Sequence, residues 1–196
     1  MARSTRRDTE ASSEDNLRTI DDLYEAAINS PFQDLRDHLG TLKFLGSRFC
    51  HITEFGTRTG NSAAAFLAGR PKKLITYDIN CLGFEDEFRK VAAAEGIEFV
   101  FRNQDCLREP IESTDLLFID SEHTFEHVNK ALEMHSGQVR SAIVLHDTHW
   151  ETSNQPVQSP SWWIWRAINK HTRNGVWKVT YDALSCNGLT VIEQCE

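Results

Sequence analysis

Two short stretches of the 196-residue chain concentrate the side chains able to do chemistry. The first, Leu116-Leu117-Phe118-Ile119-Asp120-Ser121-Glu122-His123, is an apolar run ending in a carboxylate, with an imidazole three residues on. The second, Ile143-Val144-Leu145-His146-Asp147-Thr148-His149, ends in the same two kinds of group. Adjacent parallel strands lie about 5 Å apart, so if both runs are neighbouring strands their polar ends converge. Oxygen and nitrogen donors grouped in that way suit a divalent cation, and a cation held by Asp120 and Asp147 would acidify a hydroxyl whose proton His123 then takes. Simpler roles compete locally. Asp120 and Ser121 have the residue types that cap a following helix. His127 shares a helix face with His123 but sits among Glu126 and Asn129, which predicts a solvated surface, and His149 is expected in a loop rather than at a metal.

A second group of residues precedes these. Glu54-Phe55-Gly56-Thr57-Arg58-Thr59-Gly60-Asn61-Ser62 leaves one apolar run and enters a small-residue helix, so Gly56 permits a tight turn and Gly60 a close helix-to-strand contact. About twenty residues further on, Leu74-Ile75-Thr76-Tyr77-Asp78 ends in a carboxylate placed to accept both hydroxyls of a ribose. A dinucleotide enzyme would use the same device. Its pyrophosphate, however, calls for Gly-x-Gly-x-x-Gly, and Arg58 occupies the position of the middle glycine. A nucleoside sulfonium carries no phosphate to cradle and is the better match.

These groups must be carried by strand ends, and the remaining pattern supplies the strands. Apolar β-prone runs near Cys50–Glu54, Leu74–Asp78, Glu98–Phe101, Leu116–Asp120 and Ala142–His146 alternate with helical patterns at Asn61–Ala68, Phe84–Ala94, Phe125–His135 and Trp162–His171. The alternation predicts a parallel sheet. Two last strands, Trp177–Tyr181 and Leu189–Glu193, flank an Asn187-Gly188 pair and predict an antiparallel hairpin. Residues 16–46 read as two helices, broken at Pro31, that cap the sheet or cover the substrate, and residues 1–15 as a polar, disordered tail to a single domain over 16–196. Between Thr148 and Ser161 a polar loop with two prolines has the length of a lid, followed by Trp162-Trp163-Ile164-Trp165, at least two of whose tryptophans are expected to pack.

In these motifs the chain resembles the class I S-adenosylmethionine-dependent methyltransferases over about residues 48–193. Glu54-x-Gly56-x-x-x-Gly60-x-Ser62 is similar to the first motif of the small metal-dependent O-methyltransferases, Asp78 to their ribose-binding acid, and Asn103-Gln104-Asp105-Cys106 to the stretch that contacts adenine. The resemblance implies a Rossmann-like α/β fold: seven mostly parallel strands, a C-terminal antiparallel hairpin and helices on both faces. It also implies S-adenosylmethionine as cofactor. Glu54 and Gly56 would then lie near its methionine part, with Asp78 on the ribose, Asp105 and Cys106 at the adenine, and Thr57, Gly60, Ser62 and Asp120 also at the cofactor.

The Asp120-x-x-His123 step and the later pair resemble the sugar O-methyltransferases related to macrocin and mycinamicin methyltransferases, and more loosely cephalosporin hydroxylase-like proteins. That implies Asp120 and Asp147 as metal ligands and His123 as general base. The family commonly has two acids where this chain has His146-Asp147. His146 therefore either joins the metal, moving its preference from magnesium toward manganese, iron or zinc, or orients Asp147 or the substrate.

Composition narrows the partners. A formal charge of −8 with scattered basic residues leaves no footprint for nucleic acid. No run approaches the ~20 apolar residues of a membrane span, and the N-terminal stretch has no signal-peptide core, so a cytoplasmic protein acting on a small-molecule acceptor is expected, as a homo-oligomer. Five spaced cysteines predict reduced, mostly packed thiols. The rival readings are a metal-dependent hydrolase, a Rossmann oxidoreductase, and a methyltransferase-like module that binds cofactor without turnover.

Overall fold

The computed structural model describes residues 18–81, 83–150 and 159–195. The expected tail at 1–15 and the middle of the expected lid lie outside them. The chain enters through α1 (Ile20–Ile28), where Thr19 accepts from the Asp22 amide while Asp22 accepts from the Thr19 amide, a reciprocal cap. A short 3-10 turn (Arg36–His38) leads into α2 (Leu39–Arg48). The rest alternates as expected: β1 (His51–Phe55), α3 (Asn61–Ala68), β2 (Lys73–Asp78), α4 (Glu85–Ala94), β3 (Glu98–Asn103), β4 (Thr114–Ile119), α5 (Phe125–His135) and β5 (Val139–His146). Then come α6 (Pro160–Thr172), β6 (Trp177–Ala183) and β7 (Leu189–Gln194).

The seven strands form one sheet in the order β3-β2-β1-β4-β5-β7-β6, parallel except where β7 pairs antiparallel with β5 and β6. Side chains alternate across a strand, and the apolar runs therefore feed both faces. Leu74, Leu116, Phe118 and Val144 pack with α1 to α4 on one side. Ile75, Leu117, Ile119, Ile143 and Leu145 pack with α5 and α6 on the other. Central strands buried on both faces are why these segments read as unbroken apolar runs. No helix among the described residues is long and apolar enough to cross a membrane.

One expectation needs correction. Of the five free cysteines, all outside the helices and strands, only Cys106 is buried, while Cys186 is half-buried and Cys50, Cys81 and Cys195 are exposed. Of the three tryptophans of α6, Trp162 is exposed while Trp163 and Trp165 are partly buried, and the packing of the helix is carried by Ile164, Ala167 and Ile168, with Trp165 against its margin.

Candidate functional site

The strand order reverses between β1 and β4, where chain crossings leave in opposite directions and open a crevice beyond the strand ends. A cavity of about 610 Å3 lies there, inside the range of roughly 300–1,000 Å3 that holds drug-sized ligands. One wall comes from the ends of β1 and β2 and the segment after β3. Gly56 turns with φ +85°, and its amide donates to the Tyr77 carbonyl at 2.9 Å. A Cβ at Gly56 would stand 1.9 Å from the carbonyl oxygen of Asp120, so only glycine lets the turn cross the end of β4. The next turn residue, Arg58, donates its amide to Asp78 Oδ2 at 2.8 Å, and the Asn80 amide donates to Oδ1 at 2.9 Å. Asp78 is thereby oriented by backbone, with lone pairs left for a ligand's hydroxyls. Asp105 is fixed in the same manner by the Leu107 amide at 2.8 Å. Asp105 and Cys106 line the same wall, and Ile79, 72% exposed, offers an apolar lip.

Four of the expected cofactor residues sit behind this wall rather than on it. Glu54, Thr57 and Ser62 are buried at 0–2% exposure, and a side chain at Gly60 would press on Phe84 and Phe88. The apolar helix α3 packs directly under the turn, so these positions shape it from below. Glu54 is the unusual one: it is fully buried with no counter-charge, and burial, reinforced by the charges of Asp120 and Asp78 and only partly offset by the nearby Ser62 and Thr57 hydroxyls, pushes its carboxyl up to about 8.

The opposite wall holds the second group, and the structure brings together what the sequence placed 26 residues apart. His146 is 1% exposed. Its Nε2 faces the carbonyl oxygens of Cys186 and Asp34 at 3.0 and 3.1 Å, while its Nδ1 meets Asp120 Oδ1 at 3.1 Å and Asp147 Oδ2 at 3.4 Å. His123 Nε2 approaches Asp147 Oδ2 at 2.7 Å and Asp120 Oδ1 at 3.6 Å. Burial opposes the imidazolium form, but the two carboxylates outweigh it and hold His123 up at about 9 and His146 up at about 11. Asp147 is held well below the usual carboxylate range despite its burial, by both histidines. The donor set fits the divalent cation that the sequence resemblance implies: one atom each from Asp120, His146 and Asp147 lies within 4.8 Å of the others.

Several lining residues were not read from the sequence as site residues. Asp34 and Asn187 reach the cavity from connections remote from the motifs, and Trp150 from the position just past the second motif. His127, expected in solvent, is half-buried and shares a 2.9 Å hydrogen bond with Ser121 Oγ, with Cys106 Sγ 3.8 Å away. Its helical spacing from His123 was the available clue, and the turn of chain at Ser121 covers it. The expected caps are also corrected: Thr124, not Asp120 or Ser121, accepts from the His127 amide and starts α5, which frees Asp120 for the cluster. His149 is turned away and pairs with Asp182 on β6 at 2.9 Å.

No protein-family model matches the chain. An uncharacterized methyltransferase of Bacillus pumilus (strain SAFR-032) is 32% identical over 113 residues, a match covering 53% of this chain and 49% of that one. The match thus spans about half the length of that relative. Among solved structures, an O-methyltransferase from Bacillus cereus in complex with SAH superposes at a TM-score of 0.60 with 19% identity, covering 90% of both chains. The N-methyltransferase NodS from Bradyrhizobium japonicum WM9 superposes at 0.60 with 13% identity, covering 86% of this chain and 99% of that one. Superposed over most of its length on these structures, the chain has the Rossmann-like fold of the class I methyltransferases.

Proposed function

We propose that this protein transfers the methyl group of S-adenosylmethionine to a hydroxyl of a small molecule, assisted by a divalent cation. The observation that carries the reading is continuity: the carboxylates suited to a nucleoside and the Asp120–His123–Asp147 group line one cavity. A methyl donor lying along the first wall would present its sulfonium toward the second. Methyl transfer is an in-line displacement in which the acceptor oxygen bonds to the methyl carbon as the sulfur leaves with its electron pair, so holding both partners in one closed space is most of the task.

Asp120, His146 and Asp147 would hold the cation, which when bound lowers the pKa of an acceptor hydroxyl as a Lewis acid. Trp150, its ring edge-on to His123 at 5.6 Å, offers an aromatic face beside that position. The acidic lining supports a neutral or cationic acceptor over a phosphorylated one. A hydrolase reading would leave Asp78 and Asp105 without a task.

Calorimetric titration tests the cofactor first. S-adenosylmethionine and S-adenosylhomocysteine should bind and NAD should not, and Asp78→Ala should weaken binding roughly 10- to 100-fold, the loss of one or two hydrogen bonds to a charged group. Absence of binding by either sulfur nucleoside, with or without Mg2+ or Mn2+, sinks the methyltransferase reading. Binding with no turnover over a panel of hydroxylated acceptors selects the inactive module.

A further inference from the structure

The sheet has two open edges, and they are built differently. On β6 the register breaks: Thr180 is an extra residue between Val179, which pairs with Ile192, and Tyr181, which pairs with Val191. A bulge, and a lysine such as Lys178, keep further strands from adding to an edge. β3 has neither. It pairs with β2 in unbroken parallel register from Lys73↔Glu98 to Asp78↔Asn103, and it holds no proline or lysine. The Glu98 amide donates to the Lys72 carbonyl at 3.0 Å and the Gln104 amide to the Asp78 carbonyl at 2.9 Å. Alternate residues of a strand turn their amides and carbonyls to opposite sides, so Val100 and Arg102 also serve β2 while Phe99 and Phe101 offer theirs to the open edge.

We infer that β3 is an interface for a second copy of this chain, the two strands pairing antiparallel about a two-fold axis at Val100. The segment Glu98-Phe99-Val100-Phe101-Arg102 is complementary to itself about that residue. Under the two-fold, Val100 meets the partner's Val100, Phe99 the partner's Phe101, and Glu98 the partner's Arg102. The faces agree, since Phe99 and Phe101 pack with the core on one side of the sheet and Val100 with the core on the other. The backbone phase agrees as well. Each Phe99–Phe101 pair falls at a hydrogen-bonded position and exchanges two bonds, which uses the outward groups. Glu98 and Arg102 fall at non-hydrogen-bonded positions, where opposite side chains stand closest and unlike charges stabilise the pair. Both are exposed, and only Oε1 of Glu98 is engaged, by Lys73 Nζ at 3.3 Å. A register shifted by two residues would set Val100 against Arg102 and Phe99 against Asn103, so the charge match belongs to this register. The pairing also covers apolar surface. Phe101, half-buried with its ring 6.2 Å from Phe84, would be closed over by the partner's Phe99.

Sedimentation velocity of the full chain over a dilution series tests the interface. The wild type should sediment as a dimer, at twice the 22.4 kDa of one chain, and dissociate on dilution. Arg102→Glu sets two acids against each other at both ends of the pairing and should weaken dimerisation at least about tenfold, as Glu98→Arg should with two bases. Combining the two changes restores opposite charges and should return the dissociation constant to within about threefold of the wild type. Val100→Cys reads the register directly. Cα atoms about 4.5 Å apart lie within disulfide reach, so mild oxidation should join position 100 of the two copies, as located by peptide mapping. Arg102→Cys, whose two copies lie four residues apart along the pair, should form no such bond. The cysteine variant at position 100 keeps both charges, so it decides the matter even if a charge reversal disturbs the fold. A wild type that stays at the mass of one chain at every concentration overturns the inference. So does a dimer that Arg102→Glu leaves unweakened, or one that forms no disulfide at position 100.

Discussion

Asp78 and Asp147 stand at the carboxyl ends of two parallel strands and line one cavity, yet different things hold them. Asp78 takes amides from Arg58 and Asn80, and its charge is met by peptide dipoles. Asp147 is nearly enclosed and is met by His123 and His146, themselves buried. The first wall keeps its shape through backbone turns whether or not its acid is charged. The second keeps its shape through mutual charge, so removing one member strands the others. A recognition surface and a reactive centre are thus built at one sheet edge by two kinds of force.

The same isosteric change on each wall is the sharpest way to break this contrast. In cation-free protein at neutral pH, Asp147→Asn should lower the unfolding free energy by about 3–5 kcal/mol, the usual cost of taking one partner from a buried ion pair. Asp78→Asn should cost under about 1 kcal/mol, because its amide oxygen still accepts one of the two backbone bonds. Urea unfolding of the two variants side by side decides it. Equal losses would mean that the two acids are held alike.

The fold was legible because its central strands are buried on both faces and so write themselves as apolar runs, and α3 and α5 fall where their small-residue and amphipathic patterns end. The site was legible where it hangs on strand ends. It was illegible where contacts come from afar: nothing near Asp34 or Cys186 shows that their carbonyls would close on His146. Nor does Glu54-x-Gly56 show that the glycine faces the cavity while the acid two residues before it does not, because Glu54 is still inside β1 and Gly56 lies just past its end, where the chain turns at positive φ.

Glu54 sharpens the comparison from the other side, as a buried acid with no counter-charge on the wall where acids are otherwise exposed. In the unfolded chain it ionises near 4.5, in the folded protein near 8. Below pH 4.5 both states carry the proton and nothing is lost. As pH rises the unfolded chain ionises first, so the native state loses stability by about 1.4 kcal/mol per pH unit, and the loss is complete once pH passes about 8. Glu54→Gln removes this slope. The variant should gain on the wild type through that window, by up to about 3 kcal/mol at pH 7 relative to pH 4. Unfolding curves at pH 4, 5, 6, 7 and 8 test the sign, and two parallel stability profiles would mean that Glu54 is charged in the native protein.

The smallest expected effect bears on whether side-chain charge contributes to the first wall at all. Arg58 holds a left-handed φ of +46° that a non-glycine residue adopts at a cost, while its guanidinium pairs with Asp34 at 2.6 Å and lies over the Phe32 ring at 4.7 Å. Both side chains are well exposed, so the pair is screened and contributes at most about 1 kcal/mol, with a similar amount from the ring contact. Arg58→Gly loses these contacts and relieves the strained turn, worth about 1 kcal/mol in the opposite sense. It keeps the amide that orients Asp78. Stability should therefore move by less than about 1 kcal/mol and S-adenosylhomocysteine affinity by less than about threefold, as read by urea unfolding and calorimetry. A tenfold loss of affinity with unchanged stability would show that the guanidinium itself meets the ligand, and the first wall would then depend on a side-chain charge as the second does.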